Sequence, residues 1–264
     1  MVHIRQDHYS MKYDVVIGNP PYQAMERFEA PLWIKFTKLI VSQVKIGGYA
    51  CFIVPFTITN TSSKGWKAMK GVNVIEIKTG ITERFFTVKT HIAMVTFQKA
   101  RRTNTHLLNG FTIDRNQTSI IPVKANEISV SIFNKLSVHK SIKWNLQMWD
   151  VFEQLRGPSI CGMSRLDRFK YFRMESYDML NERNLKQCNI VWIETPYIEE
   201  MMWLFRTKLF TFFHKNTMLS GNLSYSSLKT LTLPGGWQHL KTEEEVYRAY
   251  NLTKEEIEYI KNEV

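Results

Sequence analysis

Within this 264-residue chain, the residues best suited to chemistry are Asn19, Pro20, Pro21 and Tyr22, which follow directly on the apolar run Asp14–Gly18. An amino group on an aromatic ring is a poor nucleophile, because its lone pair is delocalised into the ring. Two acceptors hydrogen-bonded to its two N–H protons favour a pyramidal nitrogen and localise that pair. The Asn19 side-chain oxygen offers one acceptor and the Pro20 carbonyl the other. Proline suits the position: it fixes φ, stiffens the turn after the strand and brings no N–H donor. Tyr22 adds a ring face on which a planar base can stack. A base within a duplex has to leave the helix to reach such a pocket, so base flipping is implied. The plain alternative is a Pro-Pro turn that merely ends a strand. The full four-residue combination at a strand end favours the chemistry.

The elements that must hold this motif follow from hydrophobic spacing. Asp14–Gly18 reads as a buried strand broken by the two prolines. From Pro31 to about Val44, Leu32, Phe36, Leu39, Ile40 and Val44 recur at helical spacing. Gly47-Gly48 is expected to stop that helix, and Tyr49–Val54 to form a second strand closed by Pro55. Ser62 or Ser63 caps a short helix through Met69, and strands are expected over Val72–Thr79 and His91–Phe97. Alternating strands and helices with short connections predict an α/β layer fold.

Beyond Arg101-Arg102 the pattern loosens into short polar and β-like pieces over residues 103–125. A helix is expected from Asn126 to Leu136, a loop over Gly157–Gly162, and one aromatic-rich helix from Pro196 to about His214. Thr242-Glu243-Glu244-Glu245 and Thr253-Lys254-Glu255-Glu256 are capping-box patterns opening two short helices. The expected organisation is therefore residues 1–102, a second, smaller α+β region over 103–241, and a helical tail over 242–264.

Charge is unevenly spread. Lys and Arg exceed Asp and Glu by 7 in residues 1–100 and by 8 in residues 101–241, whereas residues 242–264 carry an acidic excess of 4. A basic body with an acidic tail fits a polyanionic partner held through phosphate contacts; a soluble protein from a lysine-rich proteome gives the same balance. No run of eighteen apolar residues spans a membrane, and the N-terminus lacks the apolar stretch of a signal peptide. Cys51, Cys161 and Cys188 form no metal spacing and no disulfide framework. A reducing cytoplasm is the expected setting, with no metal.

The motif and its surroundings resemble the γ-type N6-adenine DNA methyltransferases of restriction–modification systems. The likeness runs through Tyr13–Tyr22, Lys45–Tyr49, Phe52–Pro55, Glu83–Phe86 and Ile92–Lys99. Looser likenesses to that family's specificity region lie at Ile121-Pro122-Val123, Leu204–Phe210, Leu231–Pro234 and Glu243–Ile260. The resemblance implies a partial class I, Rossmann-like methyltransferase sheet over 1–102 and a DNA target-recognition region over 103–241. It implies S-adenosyl-L-methionine as cofactor and double-stranded DNA as substrate. Asn19, Pro20, Pro21 and Tyr22 would handle the base, with Phe85, or failing that Phe86, facing its other side. Two adjacent phenylalanines also suit ordinary core packing. Arg165, Arg168, Lys170, Arg173, Lys208 and Lys215 are candidates for phosphate contact, though each alone reads more readily as a solvated charge.

One expected feature is missing. The family holds its cofactor with a glycine-rich loop after the first strand and an acidic residue ending the second. Gly47-Gly48 and Gly235-Gly236 stand in the wrong context for that loop, and only Asp7 offers itself as the acidic residue. In the family the cofactor loop precedes the Asn-Pro-Pro-Tyr strand. A separate polypeptide is therefore expected to supply the cofactor half. Without it the strand would be a sheet edge with open backbone groups. The competing reading is an inactive DNA- or partner-binding remnant. A protein-glutamine substrate is disfavoured by the basic second region, and cytosine N4 by the Asn that opens the motif.

Overall fold

The computed structural model describes residues 11–22, 31–81, 91–142, 145–147, 159–165, 168–174, 189–217 and 225–264. Two compact units divide the chain, Met1–Asn126 and Glu127–Val264.

The first unit is α/β, as expected. Strand β1 (Tyr13–Gly18) runs parallel to β2 (Val44–Pro55), with helix α1 (Leu32–Gln43) between them in the chain. Parallel neighbours require such a crossover. Helix α1 buries Trp33, Ile34, Thr37, Ile40 and Val41, one helical face, and packs on β2. Its carbonyl end receives the ammonium groups of Lys12, which donates to the Ser42 carbonyl at 2.8 Å, and of Lys99, which donates to the Val41 carbonyl. A short helix, α2 (Lys64–Ala68), begins at Ser63, whose hydroxyl accepts from the Trp66 N–H. Next come β3 (Asn73–Lys78), β4 (Ile92–Gln98), β5 (Thr105–Leu108) and β6 (Phe111–Asp114).

In space the strands lie in the order β1-β2-β4-β3-β5-β6. Strand β4 is antiparallel to both its neighbours, while β3 and β5 are parallel. Period-two alternation puts Ala50, Phe52 and Val54 of β2 on one face with Ala93, Val95 and Phe97 of β4, all buried. Phe52 meets Phe97 edge-to-face at 5.8 Å.

Two expectations are corrected here. Gly47-Gly48 does not separate helix from strand; β2 already starts at Val44 and runs through both glycines. The pair sits in a register irregularity instead, where Gly47 adopts φ +82° and its N–H donates to the Lys99 carbonyl. Nor does the first unit end at residue 102. Asn109 and Gly110, at φ +49° and +99°, make the two-residue turn of the β5–β6 hairpin. The Asn109 amide then binds both the Thr79 N–H and the Thr79 hydroxyl at the end of β3. Residues 103–126 thus belong with this sheet.

The second unit is α+β and is the longer of the two, not the smaller. An antiparallel sheet has the order β10-β9-β11-β8, built from β8 (Asn145–Gln147), β9 (Ser159–Arg165), β10 (Arg168–Met174) and β11 (Asn189–Glu194). The loop expected over Gly157–Gly162 is overridden from Ser159 onward, because β9 is paired on both sides. A small ladder joins β7 (Lys140–Ser141) to β12 (Thr232–Leu233). The helices are α3 (Glu127–Lys135), α4 (Ile198–Leu204), α5 (Lys208–Thr217), α6 (Tyr225–Leu228), α7 (Glu243–Ala249) and α8 (Lys254–Glu263).

The single helix expected over Pro196–His214 is broken between α4 and α5. At the break, both the N–H and the hydroxyl of Thr207 bond to the Leu204 carbonyl, at 3.1 and 2.6 Å. Such a local side-chain bond competes with helix continuation. Phe133 of α3 stacks on Phe213 of α5 at 5.3 Å and meets Phe212 at 6.1 Å. Both capping boxes form as expected. Residues 242–264 are not a detached tail, since Tyr247, Tyr250 and Ile260 are buried and Glu256 accepts from Ser131 and Lys135, each at 2.7 Å. Among the described residues no helix is long and apolar enough to cross a membrane.

Each unit buries a histidine in its neutral form. Burial holds His214 down to about 3, and burial followed by the charges of Arg115 and Arg102 does the same for His106. Their folded values lie below the unfolded one, so acid protonates the unfolded chain first. Stability should fall as pH drops below about 6.5, before the carboxylates titrate. Urea unfolding at pH 7.5 and 5.5 checks this. The expected loss is roughly 1 kcal/mol per histidine, and equal midpoints would refute it.

Candidate functional site

Asn19 stands at the carboxyl end of β1. The ladder places Gly18 opposite Phe52, so the motif emerges beside the last residues of β2. Asn19 and Pro21 are exposed, Pro20 is buried and Tyr22 is half-buried. The Tyr22 hydroxyl donates to the Asn19 Oδ1 at 3.1 Å. Burial raises the Tyr22 pKa, so the hydroxyl stays a donor at neutral pH. An amide oxygen has two acceptor positions. The tyrosine uses one to orient Asn19, and the other is open to an incoming amine. This pairing across three residues is not evident from the sequence, where Tyr22 reads only as a stacking ring.

Among the described residues, strand β1 is paired on one side only. It forms the end of the six-stranded sheet among the described residues, with β2 as its neighbour. Val15 and Ile17 are 57% and 79% exposed, and Tyr49, opposite Val15 on β2, is 45% exposed. An apolar strand of a parallel pair is ordinarily covered on both faces. The Asp14–Lys45 ion pair at 2.9 Å spans β1 and β2, but both partners are exposed and its contribution is small.

Gly48 explains how close β1 lies to β2. A Cβ there would meet the Asp14 carbonyl oxygen at 2.7 Å and the Lys45 carbonyl oxygen at 3.1 Å. Gly48 therefore serves strand packing at the amino end of β1, away from Asn19. Gly235 and Gly236 belong to the second unit. Among the described residues, no glycine cradle for a nucleotide-like cofactor lies at the carboxyl end of β1. Asp7, Phe85 and Phe86 fall outside the described residues. No group of three or more His, Cys, Asp or Glu able to hold a metal occurs among the described residues.

The basic candidates lie in the second unit. The β9–β10 ladder pairs Arg165 with Arg168, Lys170 with Met163 and Arg173 with Ile160. Positions 165, 168 and 170 thus share one face of the sheet, and 173 lies on the other. Lys208 and Lys215 are exposed on α5. The Lys215 ammonium lies 3.3 and 3.2 Å from the carbonyl oxygens of Glu263 and Val264. The backbone N–H of Lys208 donates to Glu243. Sequence reasoning passed over Trp66, His106 and Arg115, which the first unit brings together around one indole ring.

Residues 2–82 match the model of the Eco57I restriction-modification methylase family. No curated protein sequence matches the chain. Among solved structures, similarity is found to a class I S-adenosylmethionine-dependent methyltransferase from Listeria monocytogenes, at 22% identity and a TM-score of 0.31, over 37% of this chain and 36% of that one. A modification subunit of a type I restriction enzyme from Vibrio vulnificus aligns at 16% identity and a TM-score of 0.31, over 38% of this chain and 26% of its own. The EcoKI M protein, also of a type I restriction enzyme, aligns at 13% identity and a TM-score of 0.27, over 70% of this chain and 45% of its own. The aligned stretches span less than half the length of each of these proteins.

The close approach at Gly48 can be tested directly. Gly48→Ala should push β1 from β2 and destabilise the first unit by roughly 1–3 kcal/mol. Gly18→Ala, whose Cβ would meet nothing within 4 Å, should be near neutral. Equal urea midpoints for the two variants would remove Gly48 from the account.

Proposed function

We propose that this chain is the target-base half of a site-specific DNA adenine-N6 methyltransferase, which transfers a methyl group from S-adenosylmethionine to an adenine flipped from the duplex. The observation that carries this reading is Asn19, exposed at the end of β1 with its Oδ1 oriented by Tyr22. The family match over residues 2–82 includes this motif and supports the same reading.

In this proposal the Asn19 Oδ1 and the Pro20 carbonyl accept the two amino protons of adenine and localise the lone pair on nitrogen. Tyr22 holds Asn19 and presents its ring to the base, with Phe85, or failing that Phe86, on the opposite side. Residues from about 103 to 240 read the DNA sequence, and Arg165, Arg168, Lys170, Arg173, Lys208 and Lys215 contact phosphates. The setting is the cytoplasm.

The described residues do not by themselves form a cofactor cradle, so the methyl donor is assigned to a separate methyltransferase half. That partner would bind along the free side of β1 and over the exposed Val15 and Ile17. The same observation favours a second reading, an inactive DNA- or partner-binding remnant.

The test is methylation of duplex DNA by the chain co-expressed with the product of its neighbouring open reading frame. Asn19→Ala should lower methyl transfer at least ~100-fold, the scale of losing one oriented hydrogen-bonding group, with duplex affinity unchanged. No methylation under any pairing favours the remnant. Micromolar cofactor binding with turnover by the isolated chain would sink the partner half of the proposal.

The free edge makes a separate prediction. Ile17→Asp, at a position already exposed, should leave the urea midpoint within about 0.5 kcal/mol while weakening co-purification with the partner. An unchanged association would show that the partner does not use this edge.

A further inference from the structure

Arg115 follows β6 and is only 8% exposed, yet no carboxylate among the described residues pairs with it. Its Nη2 donates to the Thr59 carbonyl and, at 3.4 Å, to the Ser119 carbonyl. Its Nε and Nη1 have no acceptor. The guanidinium lies 4.6 Å from the centre of the Trp66 ring, and that of Arg102 lies 4.7 Å from the same ring. Two like charges therefore converge on one indole. A cation–π contact contributes about 0.5–2 kcal/mol, whereas a buried unpaired ion costs several. The attraction of the ring does not offset the burial.

Other unsatisfied nitrogens lie on neighbouring residues. The Asn60 Nδ2, on the residue following Thr59, is buried without a partner. Its Oδ1 is engaged by the N–H and hydroxyl of Ser62, which fixes the amide's orientation. The His106 ring lies 6.1 Å from Trp66, and its Nε2 is also unpaired. Burial, followed by the charges of Arg115 and Arg102, keeps that imidazole neutral. Arg102 is exposed and links the cluster to the surface.

We propose that Arg115, Arg102, Trp66 and Asn60 form an oxyanion site that takes a phosphate-type group. Buried donors on two different side chains call for a ligand with several acceptor oxygens, and a guanidinium pairs with phosphate more strongly than with a neutral acceptor. The phosphate belongs either to a free anion or to a nucleic-acid backbone. This site lies outside the Asn19 motif, and its test needs neither a methyl donor nor methylation.

The experiment is thermal unfolding of the full chain at fixed sodium chloride, with inorganic phosphate titrated through the millimolar range. The wild-type midpoint should rise saturably, by roughly 4 °C at ten times the dissociation constant. Arg102→Gln should weaken the phosphate response about tenfold, as expected for losing one charged partner. Arg115→Met should abolish the response while raising the midpoint of the phosphate-free protein, because an uncompensated buried charge is gone. Short duplex DNA identifies the source: competition with phosphate assigns the site to a backbone phosphate, and independence assigns it to a free anion. A wild-type midpoint indifferent to phosphate, together with a less stable Arg115→Met, would make the guanidinium purely structural and overturn the proposal. Should that variant not fold, the wild-type and Arg102→Gln titrations decide alone.

Discussion

The candidate site depends on the parallel ladder between β1 and β2. Parallel strands cannot meet through a tight turn, so the contact exists only because α1 carries the chain back across the sheet. The helix is anchored at its carbonyl end by Lys12 and Lys99, one from each side of it in the chain. Gly48 then lets β2 approach the Asp14 carbonyl more closely than any side chain would allow. With β1 held in this way, Asn19 and Pro20 leave the sheet in a defined direction. Among the described residues the ladder leaves the backbone groups on the other side of β1 open, and Val15 and Ile17 are exposed on one face of the strand.

Both units bury polar groups. In the second, Glu256 accepts from Ser131, Lys135 and the backbone N–H of Thr253 at its own helix start, and the buried Tyr250 hydroxyl donates to the Thr232 carbonyl. Each group is matched by a partner in the same unit, which is how a polar network stabilises a core. In the first unit Arg115 and His106 keep unpaired nitrogens beside Trp66, and Asn60 keeps another. The first unit's cluster is thus a place where structure alone has not balanced the charge.

Much of the framework was legible because its signals are local. The strand ending in Asn-Pro-Pro-Tyr, the helix α1, the Ser63 cap and the two capping boxes each depend on residues within about one or two helical turns. The face that α1 buries, Trp33, Ile34, Thr37, Ile40 and Val41, keeps only Ile40 of the expected Leu32, Phe36, Leu39 and Ile40. Asn109-Gly110 was equally local and carries a strong hairpin signal. That hairpin carries the sheet past residue 102. Thr207, by contrast, interrupts an otherwise continuous apolar pattern through a single hydroxyl contact, which periodicity does not register.

By itself, then, the sequence determined the chemistry-bearing motif, the element types and the helix ends, since backbone preference and side-chain periodicity act over short range. Tertiary structure alone decided the order β1-β2-β4-β3-β5-β6, the one-sided support of β1 and the meeting of Arg102, Arg115 and His106 at Trp66. Those features depend on strand register and on contacts between residues tens of positions apart. Arg115 in an Asp-Arg-Asn turn reads as an exposed charge until the β5–β6 hairpin folds it against α2. Its burial is a property of the packed unit and of no segment within it.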